Sequence, residues 1–150
     1  MKLIALITIC LFGISQSPAL AAQANTKAPC RLEVDNAHIS STLIKRANKK
    51  AVKVNFKSIC NFELRELVIK VQIRKLAFIG DRPITSVLIR KFPYVPAKKQ
   101  VLIQDIYALC KNTKRTFFFG IAEAYGLLNG TQVQAPRVQS REIVPLACGT

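Results

Sequence analysis

The sequence predicts an all-β chain folded into two antiparallel sheets packed face to face, and three observations carry that reading. Past residue 29 the apolar residues repeat with a period of two rather than the helical 3.6. Turn-forming residues interrupt the pattern every ten residues or so, and four widely spaced cysteines lie in the same stretch.

In chain order, residues 1–21 come first. Lys2, the apolar run from Leu3 to Ile14 and the triplet Ala19-Leu20-Ala21 meet the physical requirements of a secretory signal peptide, with cleavage expected after Ala21. The run is twelve residues long, short of the roughly 20 that a spanning helix needs. Cys10 follows Ile9 rather than a small residue, so lipidation is not expected. Nothing later is apolar enough to span a bilayer, and no transmembrane segment is expected once the leader is removed. Residues 22–29 are small and polar, and read as a disordered lead-in to one domain over residues 30–150.

Within that domain Cys30, Leu32 and Val34 alternate with Arg31, Glu33 and Asp35. Val52, Val54 and Phe56 alternate with Lys53, Asn55 and Lys57, and Leu67, Ile69, Val71 and Ile73 with Val68, Lys70, Gln72 and Arg74. Such alternation marks strands with one buried and one wet face. Four further segments, Ile84 to Lys91, Gln100 to Ala108, Thr113 to Ala124 and Val138 to Leu146, are rich in β-branched and aromatic residues. They are parted by Gly80-Asp81, Pro93, Pro96, Asn129-Gly130 and Pro136. A helical turn at Ile44 to Lys50 or Asp105 to Lys111 is compatible with the pattern. The count is about seven strands, which gives an immunoglobulin-like sandwich, without the buried Trp of antibody domains.

Loss of the leader removes Cys10 and leaves Cys30, Cys60, Cys110 and Cys148, an even number in an oxidising compartment, hence two disulfides. A zinc site would need close Cys or His pairs, whereas the only histidine is His38. If strands alternate in direction, Cys30 and Cys60 meet at one end of the sandwich and Cys110 and Cys148 at the other. Asn129-Gly130 is a strong two-residue hairpin turn, and a hairpin centred there brings Cys110 within one residue of register with Cys148. One bulge, for which Pro136 and Pro145 give reason, completes the match. The pairing Cys30 with Cys60 and Cys110 with Cys148 is therefore favoured over the two alternatives.

The chain carries 23 Lys and Arg against 8 Asp and Glu, a formal charge of +15, and leader removal takes away only Lys2. That surplus favours polyanionic partners: an anionic envelope or extracellular polymer, acidic lipid headgroups or acidic proteins. The densest basic run contributes Lys45, Arg46, Lys49, Lys50 and Lys53, with Lys57 following, and these six are the candidate polyanion-binding residues. They are expected in a solvated hairpin loop and on the wet face of a strand. Lys70, Arg74, Lys75, Lys98, Lys99, Lys111, Lys114 and Arg115 extend the charge, which reads as spread over the molecule.

Thr116-Phe117-Phe118-Phe119-Gly120 beside Lys111, Lys114 and Arg115 could offer aromatic rings for base stacking. Alternation accounts for it more simply, with Phe117, Phe119 and Ile121 inward and Phe118 outward, and nucleic acid is not an expected partner. No catalytic residue, metal ligand or cofactor site is assigned. His38 has no nucleophile near it in sequence, and bridged cysteines supply no thiolate. Glu63 and Glu66 read as a solvated bend rather than a glycosidase pair. Asn129-Gly130-Thr131 matches a glycosylation acceptor, but the hairpin turn explains the same residues.

Pro29-Cys30-x-Leu32-x-Val34, Ser58-x-Cys60, Cys110-Lys111-Asn112, Phe119-Gly120 and Pro145-Leu146-Ala147-Cys148-Gly149 give the chain a layout that resembles a group of small uncharacterised secreted bacterial β-sandwich proteins with four cysteines. The resemblance implies an exported sandwich and brings no activity or site residues; the strongly basic composition departs from it. The expectation is a secreted or envelope-associated, non-enzymatic domain that adheres to polyanions. The alternative is an inhibitor or effector that offers loops at one end of the sandwich to a protein partner.

Overall fold

A computed structural model describes residues 28–150. The expected signal peptide, Cys10 and the expected lead-in up to residue 27 lie outside the described residues. Asn61 holds Ala28 and Pro29: the carbonyl of Ala28 accepts from Asn61 Nδ2 at 2.6 Å, and that of Pro29 from Asn61 N at 2.8 Å.

The described residues make seven passes, several of them broken into two strands. They are β1 (Cys30–Val34) with β2 (His38–Ile39); β3 (Ala51–Lys53) with β4 (Phe56–Cys60); and β5 (Leu64–Leu76). Then come β6 (Asp81–Pro83) with β7 (Leu88–Val95), β8 (Gln100–Ile103) with β9 (Tyr107–Leu109), β10 (Asn112–Leu128), and β11 (Thr131–Gln139) with β12 (Val144–Gly149). The first, second and fifth passes form one layer through the ladders β1-β4-β8 and β2-β3-β9. Asp35 N donates to Asn55 O at 3.0 Å and carries the first ladder into the second. In the other layer β10 and β5 are central, with β11 and β12 flanking β10 and β6 and β7 flanking β5. All pairings are antiparallel. The result is a sandwich of three passes on four, in which the fourth pass joins the larger sheet.

Leu32, Val52, Val54, Phe56 and Ile103 of the first layer meet Leu67, Ile69, Val71, Ile73 and Phe118 of the second in one buried core. The phase expected for the first three strands is the observed one. In β10 it is reversed: Phe118 is fully buried and Phe117 is 47% exposed. Phe118 shares its face with Gly120, Ala122 and Ala124, and these small residues let the layers approach. A Cβ on Gly120 would stand 2.6 Å from Val54 Cγ1 and 2.8 Å from Val34 Cγ1. Phe119 and Ile121 are also buried, but they pair with Arg74 and Gln72 on the outer face.

The last pass differs from expectation as well. The segment Val138 to Leu146 is not one strand, because residues 140–143 carry the step from β11 to β12. There Ser140, 2% exposed, accepts from Gly120 N at 2.8 Å and donates to Asp35 O at 2.9 Å, which ties the layers together. The region around Pro136 is strand, which an edge position permits. The expected bulge lies between Ala122 and Ala124, opposite Pro136 and Arg137. Asn129 and Gly130 take φ of 51° and 79° and close the hairpin as their types predict.

Both disulfides have the expected pairing, Cys30–Cys60 and Cys110–Cys148. Cys30 and Cys60 are direct cross-strand partners in β1 and β4. Cys110 follows β9 in the smaller layer and Cys148 lies in β12 of the larger, so the second bridge joins the two layers. Its register does not run along the β10 hairpin as the sequence suggested, because Cys110 precedes β10. The two bridges place the folded chain in an oxidising environment.

Candidate functional site

The direction of the passes decides where the charge goes. Lys75 pairs with Phe118, near the start of β10, and Asn112 pairs with Gly149. Ala51 pairs with Leu109, Cys110 N donates to Lys50 O at 2.9 Å, and Lys111 N donates to Gly149 O at 2.7 Å. The end of β5, the starts of β3, β6 and β10 and the ends of β9 and β12 therefore meet at one end of the sandwich, beside Cys110–Cys148. The Cys30–Cys60 bridge and the Asn129-Gly130 turn are at the other.

Two sets of cations converge on this end. The first sits on the link between β2 and β3, expected as a loop and found as a short helix, α1 (Ser41–Ala47). Ser40 caps it, its Oγ accepting from Leu43 N at 3.3 Å, and Asn48 ends it with φ of 49° and its N–H bonded to Ile44 O at 3.0 Å. No residue of α1 is buried, and Lys45 and Arg46 fall in its last turn, where the negative end of the helix dipole favours cations. Lys49 is exposed and Lys50 half-buried in the turn that follows. The other expected residues lie further along the same pass. Lys53 pairs in register with His38 and Tyr107, and Lys57 is bonded to Glu33.

The second set lines a groove of about 380 Å³ that the sequence did not reveal. Beyond Lys75, β5 leaves β10 and continues with only β6 beside it, while the first residues of β10 pair with β12. The cleft between these elements is lined by Lys75, Arg82, Lys111, Lys114 and Arg115, with Leu76 and the exposed Phe117, and by no acidic residue. Lys75 Nζ donates to the main-chain oxygen and Oγ1 of Thr150. The other four form no ion pair among the described residues. Asp81, the carboxylate that the hairpin brings to this end, is held by Arg74, whose Nε donates to Oδ1 at 2.6 Å.

Elsewhere four cations are matched by acids, while Lys53, Arg65, Lys70, Lys91, Lys98, Lys99 and Arg141 form no ion pair among the described residues. Glu33 takes Lys57 and Arg31, Arg90 pairs with Asp105, and Arg137 with Glu123. Lys57, through its hydrogen bond, and Arg31 nearby hold the Glu33 carboxyl below its ordinary value. The Glu63 carboxylate, which accepts from the Tyr94 hydroxyl at 3.2 Å, pushes the Tyr94 phenol up. Glu63 and Glu66 do not form a bend: Glu66 is within β5 with φ of 49°, beside a register shift against β10. His38 donates from Nδ1 to the Asn36 carbonyl at 3.2 Å. Among the described residues no group of three or more His, Cys, Asp or Glu is placed to hold a metal ion, and no helix is long and apolar enough to cross a membrane.

Unpaired cations thus occur over the molecule, with a dense group of them at one end. Of the six residues expected from sequence, Lys45, Arg46, Lys49 and Lys50 belong to the basic end, Lys53 stands further along the sheet, and Lys57 is engaged by Glu33. The fold and this site together define a disulfide-stapled β-sandwich with one cationic end. No protein-family model matches the chain, and no curated protein is significantly similar to it.

Proposed function

We propose that this is an exported, non-enzymatic domain that adheres to polyanions of the cell envelope or its surroundings through the cationic end of the sandwich. The observation that carries the reading is the convergence there of the α1 cluster and the groove cations, with Asp81, the carboxylate that the β5–β6 hairpin brings to this end, engaged by Arg74. Like charges so gathered repel one another and cost the folded state some stability, which a polyanion relieves. The disulfides agree with a destination outside the reducing cytosol.

The test is retention on an anionic matrix as a function of salt. Binding should fall steeply between low and high salt, as the screening length shrinks from about 30 Å at 0.01 M to about 3 Å at 1 M. Replacing Lys45, Arg46, Lys49 and Lys50 together by Gln, or Lys111, Lys114 and Arg115 together, should lower the eluting salt in a graded way. A charge-matched set at the opposite end, Arg65, Lys98 and Lys99, should lower it less. Negligible retention at low salt, or equal effects from both ends, would overturn the reading and favour a protein partner.

A further inference from the structure

We infer that the basic end is a membrane-docking end, and that the β5–β6 hairpin inserts its tip into the surface of an anionic phospholipid bilayer; this deepens the polyanion reading and rests on it. The tip is Phe78-Ile79, and it is the most exposed apolar pair in the described chain: Phe78 is 104% exposed and Ile79 80%. Gly80, with φ of +67°, closes the turn, and Ala77 N donates to Gly80 O at 3.0 Å. The two large side chains therefore stand at the apex of a hairpin that runs past the last β5–β10 pair, Lys75 with Phe118.

An apolar apex in water is unfavourable, and nothing in the folding of this domain requires it, since neither ring nor sec-butyl group packs on the core. Its surroundings indicate what covers it. Lys75 and Arg82 flank the apex on the two hairpin strands, and Lys111, Lys114 and Arg115 face them across the groove. Phe117 and Leu76, exposed in the same place, widen the apolar surface. An apolar wedge with a collar of Lys and Arg behind it matches the profile of a bilayer interface. The wedge reaches the acyl boundary while the cations stay at the level of the lipid phosphates, their long stems spanning the change in polarity. A soluble polyanion would satisfy the collar and leave Phe78 and Ile79 in water.

The experiment is co-sedimentation with vesicles of equal parts phosphatidylglycerol and phosphatidylcholine, and with phosphatidylcholine alone. It is run beside the salt elution described above for wild type and Phe78→Ser/Ile79→Ser. Both side chains are solvent-exposed, so the double variant should keep its melting temperature. Wild type should bind the anionic vesicles and not the neutral ones, and the double variant should bind at least about tenfold more weakly with its eluting salt unchanged. The chain has no tryptophan, so Phe78→Trp supplies a single reporter whose emission should shift to the blue with anionic vesicles and be quenched by brominated lipid. Vesicle binding unaffected by the double substitution, or emission unchanged on vesicle binding, would overturn insertion while leaving polyanion adhesion standing. Matrix retention without vesicle binding would do the same. Failure of both assays would remove both readings. A wild-type dimer that the double variant abolishes, with no vesicle binding, would assign the tip to contact between copies.

Discussion

Gly120 occupies a close approach between the layers, where a Cβ would fall inside the contact distance of Val54 and Val34. Gly120→Ala is expected to destabilise the domain by about 1–3 kcal/mol, read as a lower midpoint in denaturant unfolding. An unchanged midpoint would mean that the layers separate easily. The sequence reading of β10 went wrong at this place. Three consecutive phenylalanines carry no phase, and the run of small residues at Gly120, Ala122 and Ala124, which marks the inward face, is a weaker signal than a ring. Glu33 gives a second prediction at this scale. Its carboxyl titrates below the ordinary 4.5 because Lys57 and Arg31 stabilise the anion, so its contribution is present above pH 4.5 and is lost as pH falls through the lowered value. Half-exposed and screened, it is worth under about 1 kcal/mol. The stability gap between wild type and Glu33→Gln, measured by urea melts, should be open at neutral pH and close on acidification.

Among the elements, the seven passes and both cysteine pairings were legible, because period-two alternation and alternating strand direction are local and topological properties that survive without side-chain detail. The breaks inside the passes were not. Ser140 bridges Gly120 and Asp35 across the layers, a relation between residues far apart in sequence that no window reveals. The seven-residue α1 was visible only as one of two helical options, since none of its residues is fully buried and Ser40 and Asn48 cap its ends. The two bridges close separations of 30 and 38 residues. In the chain-entropy model, removing either through a double Cys→Ala replacement should cost about 3–4 kcal/mol. Loss of Cys110–Cys148 should also loosen the cationic end, because it alone ties β9 covalently to β12. Hydrogen exchange should show that loosening as faster exchange at Lys111 N, whose bond to Gly149 O lies beside the bridge. Equal protection with and without the bridge would show that the ladders suffice.

At the scale of the whole molecule, the basic composition was plain from the sequence but its arrangement was not. Lys45 and Arg115 come to the same end only through the register of β3 on β9 and of β10 on β12. The basic run that stood out in the sequence supplies half of the site, and the groove cations, scattered over three segments, supply the rest. This segregation has a consequence for time as well as for affinity. A body whose uncompensated charge is densest at one pole carries an electric dipole, and near an anionic surface it experiences a torque before it touches. It should arrive pole-first, with the hairpin leading, so that a high fraction of encounters is productive. Salt would then act chiefly on the rate of arrival, and the Phe78-Ile79 apex on the rate of departure.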